Sequence, residues 1–347
     1  MNPIKVGIIG ATGYAGVELI RLLLTHPQAE LAAISSVSFE GKPISEVYPN
    51  LAHICDDVLT DEDHVIEKSD VIFASLPHGL CEALGKKVVA QGKKMIDLGA
   101  DFRLDQEEDY HQWYGLSYKE KELHQKSCYC IPELHRERIT PDISIIGNPG
   151  CYPTSIALGL APIVTSGLAD VNSIIIDSKS GVTGAGRGLS QTSHYPDCNE
   201  AFSPYKVACH RHTPEIEQTV SQLANTPVKV TFVPHLLPLN RGIVSTIYVN
   251  LKGQMQENAV WYLYENFYKN EKFVRILPKG TAANLKNVKF SNYCDISLHP
   301  DERTGRLIIV STIDNMVKGA AGQAIQNMNL LFGLKEDTGL NMIPPAF

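Results

Sequence analysis

The sequence predicts an α/β chain in two parts: a parallel sheet with helices on both faces, then an α+β part whose sheet is largely antiparallel. Three observations carry this. The chain has 347 residues, and at roughly 150 residues per domain that length makes about two domains. Up to Gly150, short apolar runs alternate with stretches of helical periodicity, the pattern of a parallel sheet buried on both faces. Beyond Gly150, strand-like runs follow one another with few helices between them. The two parts are expected over 1–148 and 149–314, with a C-terminal helix over 315–347 joining the first.

Residues 4–9 are apolar and suit a strand covered on both sides. Glycines follow at Gly10, Gly13 and Gly16, and then Val17, Ile20, Leu23 and Leu24 recur at helical spacing until His26-Pro27 ends the helix. Strands are expected over 30–35, 70–76, 94–98 and 143–147, with a helix over 81–91. In the second part a helix over 154–164 precedes strands over 173–178, 228–232, 243–251, 292–298 and 307–313. A helix over 257–270 interrupts them. Ala320, Ala324, Ile325 and Met328 mark a last helix over 316–332.

Composition excludes several classes. With 44% hydrophobic and 20% charged residues, the chain can bury cores and is not disordered. Its 38 acidic residues outnumber 31 basic ones, the wrong balance for a nucleic-acid binder. Apolar stretches such as 156–164 fall short of the ~18 residues that span a bilayer. A strand begins within the first residues, with no signal-peptide region ahead of it. The eight cysteines include no CxxC pair, so no zinc ribbon, thioredoxin-like site or other metal site is expected. These features predict a reduced, soluble, cytoplasmic protein with no nucleic-acid or membrane partner.

Gly10-Ala11-Thr12-Gly13-Tyr14-Ala15-Gly16 joins a strand to a helix. Glycines there let the backbone approach a pyrophosphate, and the N–H groups at the helix start favour the anion. This predicts a Rossmann-type dinucleotide site. An NAD site places an acid about 20 residues on, for the ribose 2′-OH. Here Ser35 and Ser36 occupy that place with Lys42 nearby, which suits the 2′-phosphate of NADP(H). Glu40 standing in for the acid is the alternative.

The sharpest chemical feature is Gly147-Asn148-Pro149-Gly150-Cys151-Tyr152-Pro153-Thr154. It places Cys151 at a helix N-terminus, where the dipole favours thiolate and backbone N–H groups can hold an oxyanion. A thiolate nucleophile needs a base, and His210-Arg211-His212-Thr213-Pro214-Glu215 offers two imidazoles and a guanidinium. If that segment is extended, His210 and His212 share a face with Arg211 opposite. Glu215 could orient one ring or meet the substrate's charge. Arg103, just past the 94–98 strand, could hold a carboxylate or phosphate, or pair with Asp101 or Asp105. The loop from Ser180 to Gly188 carries four glycines and Arg187, as a backbone passing close to a ligand would.

Taken together, GATGYAG at 10–16, GADFR at 99–103, GNPGCYPT at 147–154, SKSGVTGAGR at 178–187, HRHTPEI at 210–216, PHLLPLNRG at 234–242 and DNMVKGAAGQAIQNMN at 314–329 resemble the N-acetyl-gamma-glutamyl-phosphate reductase family, relatives of aspartate-semialdehyde dehydrogenase. The resemblance covers nearly the whole chain. It implies a cytoplasmic homodimer or homotetramer of arginine biosynthesis that reduces an acyl phosphate with NADPH. Cys151 would form a thioester and release inorganic phosphate, and hydride transfer and collapse would give N-acetyl-glutamate 5-semialdehyde. His212 is the implied acid/base and His210 the second choice, although the sequence does not separate them. Arg103, Asn148, Arg211 and Glu215 are the implied substrate contacts. Gly181, Gly184 and Asn315 are implied to lie along the cofactor with the glycine turn. The same chemistry on aspartyl phosphate or a carrier-linked aminoadipyl phosphate is an alternative, as is a non-enzymatic NADP-binding redox sensor using Cys151.

Overall fold

The computed structural model describes residues 2–253 and 257–347. The chain divides into two compact units, Met1–Pro149 with Ala320–Asn341 and Gly150–Gly319 with Met342–Phe347.

The first unit runs β1 (Ile4–Ile9), α1 (Tyr14–Leu23), β2 (Ala29–Ser35), α2 (Ile44–Val47), β3 (Leu59–Thr60), α3 (Glu62–Lys68), β4 (Val71–Ala74), α4 (Cys81–Ala90), β5 (Lys94–Asp97), α5 (Glu107–Tyr114), α6 (Lys121–His124), β6 (Ser127–Tyr129), α7 (Pro132–His135) and β7 (Ile145–Gly147). The strands form one sheet in the order β3-β2-β1-β4-β5-β7-β6, and every neighbouring pair is parallel. All four β4 residues are buried, as a strand covered on both faces requires. Each such Val, Ile or Phe contributes about 1.5–3 kcal/mol relative to exposure. The order reverses between β1 and β4, and in open α/β sheets ligands gather at that switch point. The glycine turn sits there. The expected strands are present with ends moved by at most two residues. Strands β3 and β6 were not expected, because two or three residues carry no readable period.

The second unit runs α8 (Cys151–Thr165), β8 (Ile175–Gly181), α9 (Tyr195–Cys198), β9 (Ser203–Pro204), α10 (Thr213–Ala224), β10 (Thr231–Leu237), β11 (Ile243–Asn250), α11 (Glu257–Tyr268), β12 (Val274–Ile276), β13 (Cys294–Asp301) and β14 (Arg306–Ile313). Its sheet is ordered β12-β13-β14-β11-β8-β10-β9. It is mostly antiparallel, with parallel pairs only at β8/β10 and β12/β13. Strands β8 and β10 lie further along the chain than expected. Their exposed and buried residues alternate, so a search for continuous apolar runs stops short of them. Ser178, Ser245 and Ser311 stand in register across β8, β11 and β14. The Ser155 hydroxyl of α8 lies within hydrogen-bond distance of the hydroxyls of Ser245 (3.1 Å) and Ser311 (3.1 Å), and Ser178 donates to Ser245 (2.8 Å). This row of small side chains lets α8 lie close on the sheet while its hydroxyls satisfy one another.

Helix α8 begins at Cys151, three residues before the expected start at Thr154. Pro153 falls in the first turn, where its missing N–H costs no intrahelical bond. Pro162, inside the helix, would leave the Leu158 carbonyl without its partner. The Tyr268 hydroxyl of α11 donates to that carbonyl at 2.6 Å. After β14 the chain makes a wide π turn, Val317–Ala321, before α12 (Gly322–Leu331). The last helix therefore fills only part of 316–332, residues beyond Phe332 are irregular, and Asn315 precedes the helix instead of starting it.

Candidate active site

In the first unit Gly10 has φ +85°, and a Cβ there would lie 2.3 Å from the Ser75 carbonyl oxygen. A Cβ at Gly16 would lie 2.4 Å from the Gly10 oxygen, so close packing of turn on helix demands both glycines. Gly13 is under no such constraint: its Cβ would meet Gly10 at 3.4 Å. Gly13 caps α1 in an extended conformation and no side chain caps that helix. Tyr14 and Ala15 are its first residues. Thr12 and Ser36 share a 2.7 Å hydroxyl hydrogen bond, and the Tyr48 hydroxyl donates to the Thr12 carbonyl at 2.9 Å. Ser35 and Ser36 are buried. A backbone cradle with no Cβ at the close approach, an uncapped helix start and hydroxyls beyond β2 fit a dinucleotide diphosphate.

Arg103 is buried in the same unit. Its Nε donates to the Asn148 carbonyl (2.8 Å) and its Nη2 to the Leu98 carbonyl (2.8 Å). Asp101 accepts from the N–H groups of Gly79 and Cys81 and from the Tyr110 hydroxyl. Asn148 is also held. It accepts from Asn327 Nδ2 (3.1 Å) and donates to the Ala320 carbonyl (3.2 Å). Both candidate substrate residues are thus built into the frame at the ends of β5 and β7.

In the second unit Cys151 is the first residue of α8, whose N-cap Gly150 is extended and uncapped by any side chain. Five of the other cysteines are buried, while Cys198 is half-buried and Cys209 exposed. Glu215, expected as a substrate contact, is 1% exposed. Its Oε1 accepts the Gly150 N–H at 2.7 Å, so it ties the first turn of α10 to the start of the cysteine helix. The His210–His212 segment is a turn and not an extended run. The two rings still meet, with centroids 4.9 Å apart. Both flank Tyr152, the residue after Cys151, at 5.5 and 6.0 Å. Arg211 is exposed and His212 half-buried.

The two imidazoles differ chemically. The backbone N–H of His212 donates to His210 Nδ1 at 3.1 Å. The Tyr205 hydroxyl donates to the Tyr152 hydroxyl at 3.1 Å, so at 3.4 Å from Tyr205 oxygen His210 Nε2 is the donor. His210 is therefore fixed as a neutral ring. Burial, helped by Lys206 and Arg211, pushes its pKa down to about 3.

In the same unit the Asn315 side chain accepts from the Gly242 N–H (2.6 Å) and donates to Thr183 Oγ1 (3.0 Å). A Cβ on Gly181 would lie 2.7 Å from the Asn240 backbone, so that glycine admits a neighbouring chain. A Cβ on Gly184 would sit 3.6 Å from Asn315 Nδ2. The three expected cofactor positions thus cluster at the end of β8. Among the described residues no group of three or more His, Cys, Asp or Glu is placed to hold a metal ion, and no helix is long and apolar enough to cross a membrane.

Residues 5–141 match the family described as semialdehyde dehydrogenase, NAD binding domain, and residues 151–315 match semialdehyde dehydrogenase, dimerisation domain. An N-acetyl-gamma-glutamyl-phosphate reductase from Brachyspira hyodysenteriae is 60% identical, over 99% of this chain and 100% of the relative. The chain belongs to the N-acetyl-gamma-glutamyl-phosphate reductase family. A reductase of the same name from Clostridium botulinum is 56% identical over 99% of this chain and 100% of its own length. Aspartate semialdehyde dehydrogenase II from Vibrio cholerae shares the fold, with a TM-score of 0.74 at 15% identity over 96% of this chain and 99% of that one. The Candida albicans enzyme, solved with NADP, gives 0.71 at 16% identity over 95% and 99%. The chain is an oxidoreductase of this reductase family, and its first unit is the nicotinamide-dinucleotide-binding domain.

Two residues of the candidate site went unread in the sequence. Tyr205 links His210 to Tyr152, yet nothing in its neighbourhood marks it, since the turn that delivers it depends on Lys206 and Ala208 adopting positive φ. Gly319 lies within the 314–329 motif with nothing in the pattern to give it a role, and a Cβ there would lie 2.7 Å from Cys151 Cβ.

Proposed function

We propose that the chain carries out the NADPH-dependent reductive dephosphorylation of N-acetyl-glutamyl 5-phosphate to N-acetyl-glutamate 5-semialdehyde, the reductase step of arginine biosynthesis in the cytoplasm. The observation that carries this reading is the Glu215–Gly150 hydrogen bond. It joins the helix that starts at Cys151 to the helix that starts after His212. The likeness to named reductases over the full length supports the substrate.

The Cys151 thiolate attacks the acyl carbon, a C–S bond forms, and the C–O bond to phosphate breaks. His212 gives its proton to the departing phosphate oxygen and regains one from solvent. The first N–H groups of α8 stabilise the oxyanion on the attacked carbon. When bound at Gly10–Gly16, the reduced nicotinamide supplies the hydride that carries the thioester to the aldehyde oxidation level. Breaking the C–S bond then releases the aldehyde and returns the thiolate. Ser35 and Ser36, with no acid at the end of β2, support a 2′-phosphate on the cofactor. Arg103, Asn148 and Arg211 are proposed to hold the anionic substrate. Alternate residues of β11, Val244, Thr246 and Tyr248, are only half-buried; that open face and the match to a dimerisation domain support a homodimer or homotetramer.

The test is phosphate-dependent reduction of NADP+ by N-acetyl-glutamate 5-semialdehyde, compared with aspartate semialdehyde. The expected outcome is turnover with the acetylated aldehyde that disappears in Cys151→Ser while the cofactor still binds. Equal turnover of both aldehydes, or turnover surviving in Cys151→Ser, refutes the assignment.

A further inference from the structure

The motif 314–329 supplies more than Asn315. Asp314 is fully buried at the end of β14. Its Oδ1 accepts the N–H groups of Met316 (2.8 Å) and Val317 (3.3 Å), and its Oδ2 accepts that of Phe290 (2.7 Å). The Arg241 guanidinium lies 3.6 Å away. With Asp314 and Asn315 so clamped, the backbone enters the π turn. The N–H of Gly319 reaches back five residues to the Asp314 carbonyl at 2.9 Å. Such a turn inserts one residue relative to an α-helix and displaces the residues after it, and π turns recur at functional sites.

Here the displaced residue is Gly319, and it faces the cysteine. A Cβ on Gly319 would come 2.7 Å from Cys151 Cβ, 3.2 Å from Cys151 Cα and 3.3 Å from Ile313 Cδ1. Its φ is not in the left-handed region, so glycine is required for space and not for backbone conformation. The contacted atoms are the stem of the cysteine at the first position of a helix, and they cannot swing aside without moving the helix start.

We propose that Gly319, held by the Asp314-clamped π turn, is a positioning residue that sets where the Cys151 thiol sits. This rests on the reading of Cys151 as the nucleophile. The test separates the two by reading the thiol directly as well as turnover. In Gly319→Ala, the rate of Cys151 alkylation by iodoacetamide, mapped to its peptide and followed against pH, falls by about tenfold to a hundredfold, because small misplacements of a reacting group have effects of that size. kcat falls in parallel, and KM for the semialdehyde stays within about twofold. The control is Gly159→Ala, further along α8, where a Cβ would crowd Ile247 at 3.0 Å. It lowers the melting temperature and leaves alkylation unchanged. If Gly319→Ala does not fold, the double variant with Cys151→Gly removes the clashing Cβ and restores folding.

Native alkylation in Gly319→Ala, equal slowing in Gly159→Ala, or failure of Cys151→Gly to relieve Gly319→Ala each overturns the proposal. If the native chain lacks reductase turnover while the alkylation results hold, the functional reading fails and the positioning of the thiol stands.

Discussion

His210 and His212 lie two residues apart and are chemically unlike. One ring is locked by a backbone donor on Nδ1 and a tyrosine on Nε2, and the other is half-buried at the start of α10. His212→Asn is therefore expected to lower kcat by about 100-fold or more, and His210→Asn by less. Steady-state rates at neutral pH decide this, and the reverse order would reassign the acid. The pair was legible in the sequence, but the difference between its members was not, because it arises from a turn and from Tyr205. Asp97 supplies a second expectation. Burial and the nearby Asp101 raise its pKa from 3.8 to about 6. A raised acid favours the neutral form in the folded chain. The folded state is thus penalised above both values, on the order of 2–3 kcal/mol, and the penalty fades as pH falls from 6 to 3.8. Asp97→Asn should stabilise the chain near about pH 8 and change little near about pH 4. Equal effects at both pH values in denaturant titrations would contradict this.

At the scale of elements, α8 shows what pattern alone conveys. Its apolar run was legible, whereas its start was misplaced because Pro153 reads as a turn and yet sits harmlessly in the first helical turn. Its interior proline depends on another helix. With Pro162 in place, Tyr268 is the donor to the buried Leu158 carbonyl. Tyr268→Phe should cost about 1–3 kcal/mol, the range for a buried polar group left unsatisfied. In a Pro162→Ala background an N–H returns to position 162 and the loss should shrink. Chemical denaturation of the four variants of this cycle tests it, and an unchanged loss in the Ala background would show that the carbonyl is not the cause. Five of the seven strands in the sheet beneath α8 were legible, and two of those were displaced, since β8 and β10 alternate buried and more exposed residues; the short β9 and β12 carry no readable period.

Across the whole molecule, one device recurs at three histidines. His26, His135 and His210 each accept a backbone N–H on Nδ1, from Gln28, Ile131 and His212. Burial lowers the pKa of all three, to about 3 for His135 and His210. A lowered base stabilises the fold fully above its unfolded value of 6.5, and that stability is lost as pH falls from 6.5 toward 3. Two such shifts outweigh the opposite trend of Asp97, so unfolding free energy should drop steadily from about pH 7 to about pH 4. A flat profile would refute it. The two-part architecture was legible because periodicity changes near Gly150, but the π turn at 317–321 was not, since it is set by contacts of Asp314. The chain leaves the first unit after Pro149 and re-enters it at Ala320. At its far border, a Cβ added to Gly319 would reach Cys151, one residue inside the near border at Gly150. During synthesis the first unit must therefore wait, with Asn148 and the Cys130 carbonyl lacking their Asn327 partner, until α12 emerges. The Gly150–Gly319 body is by then already translated, so the bulk of the domain that comes second in the sequence can fold before the first is complete.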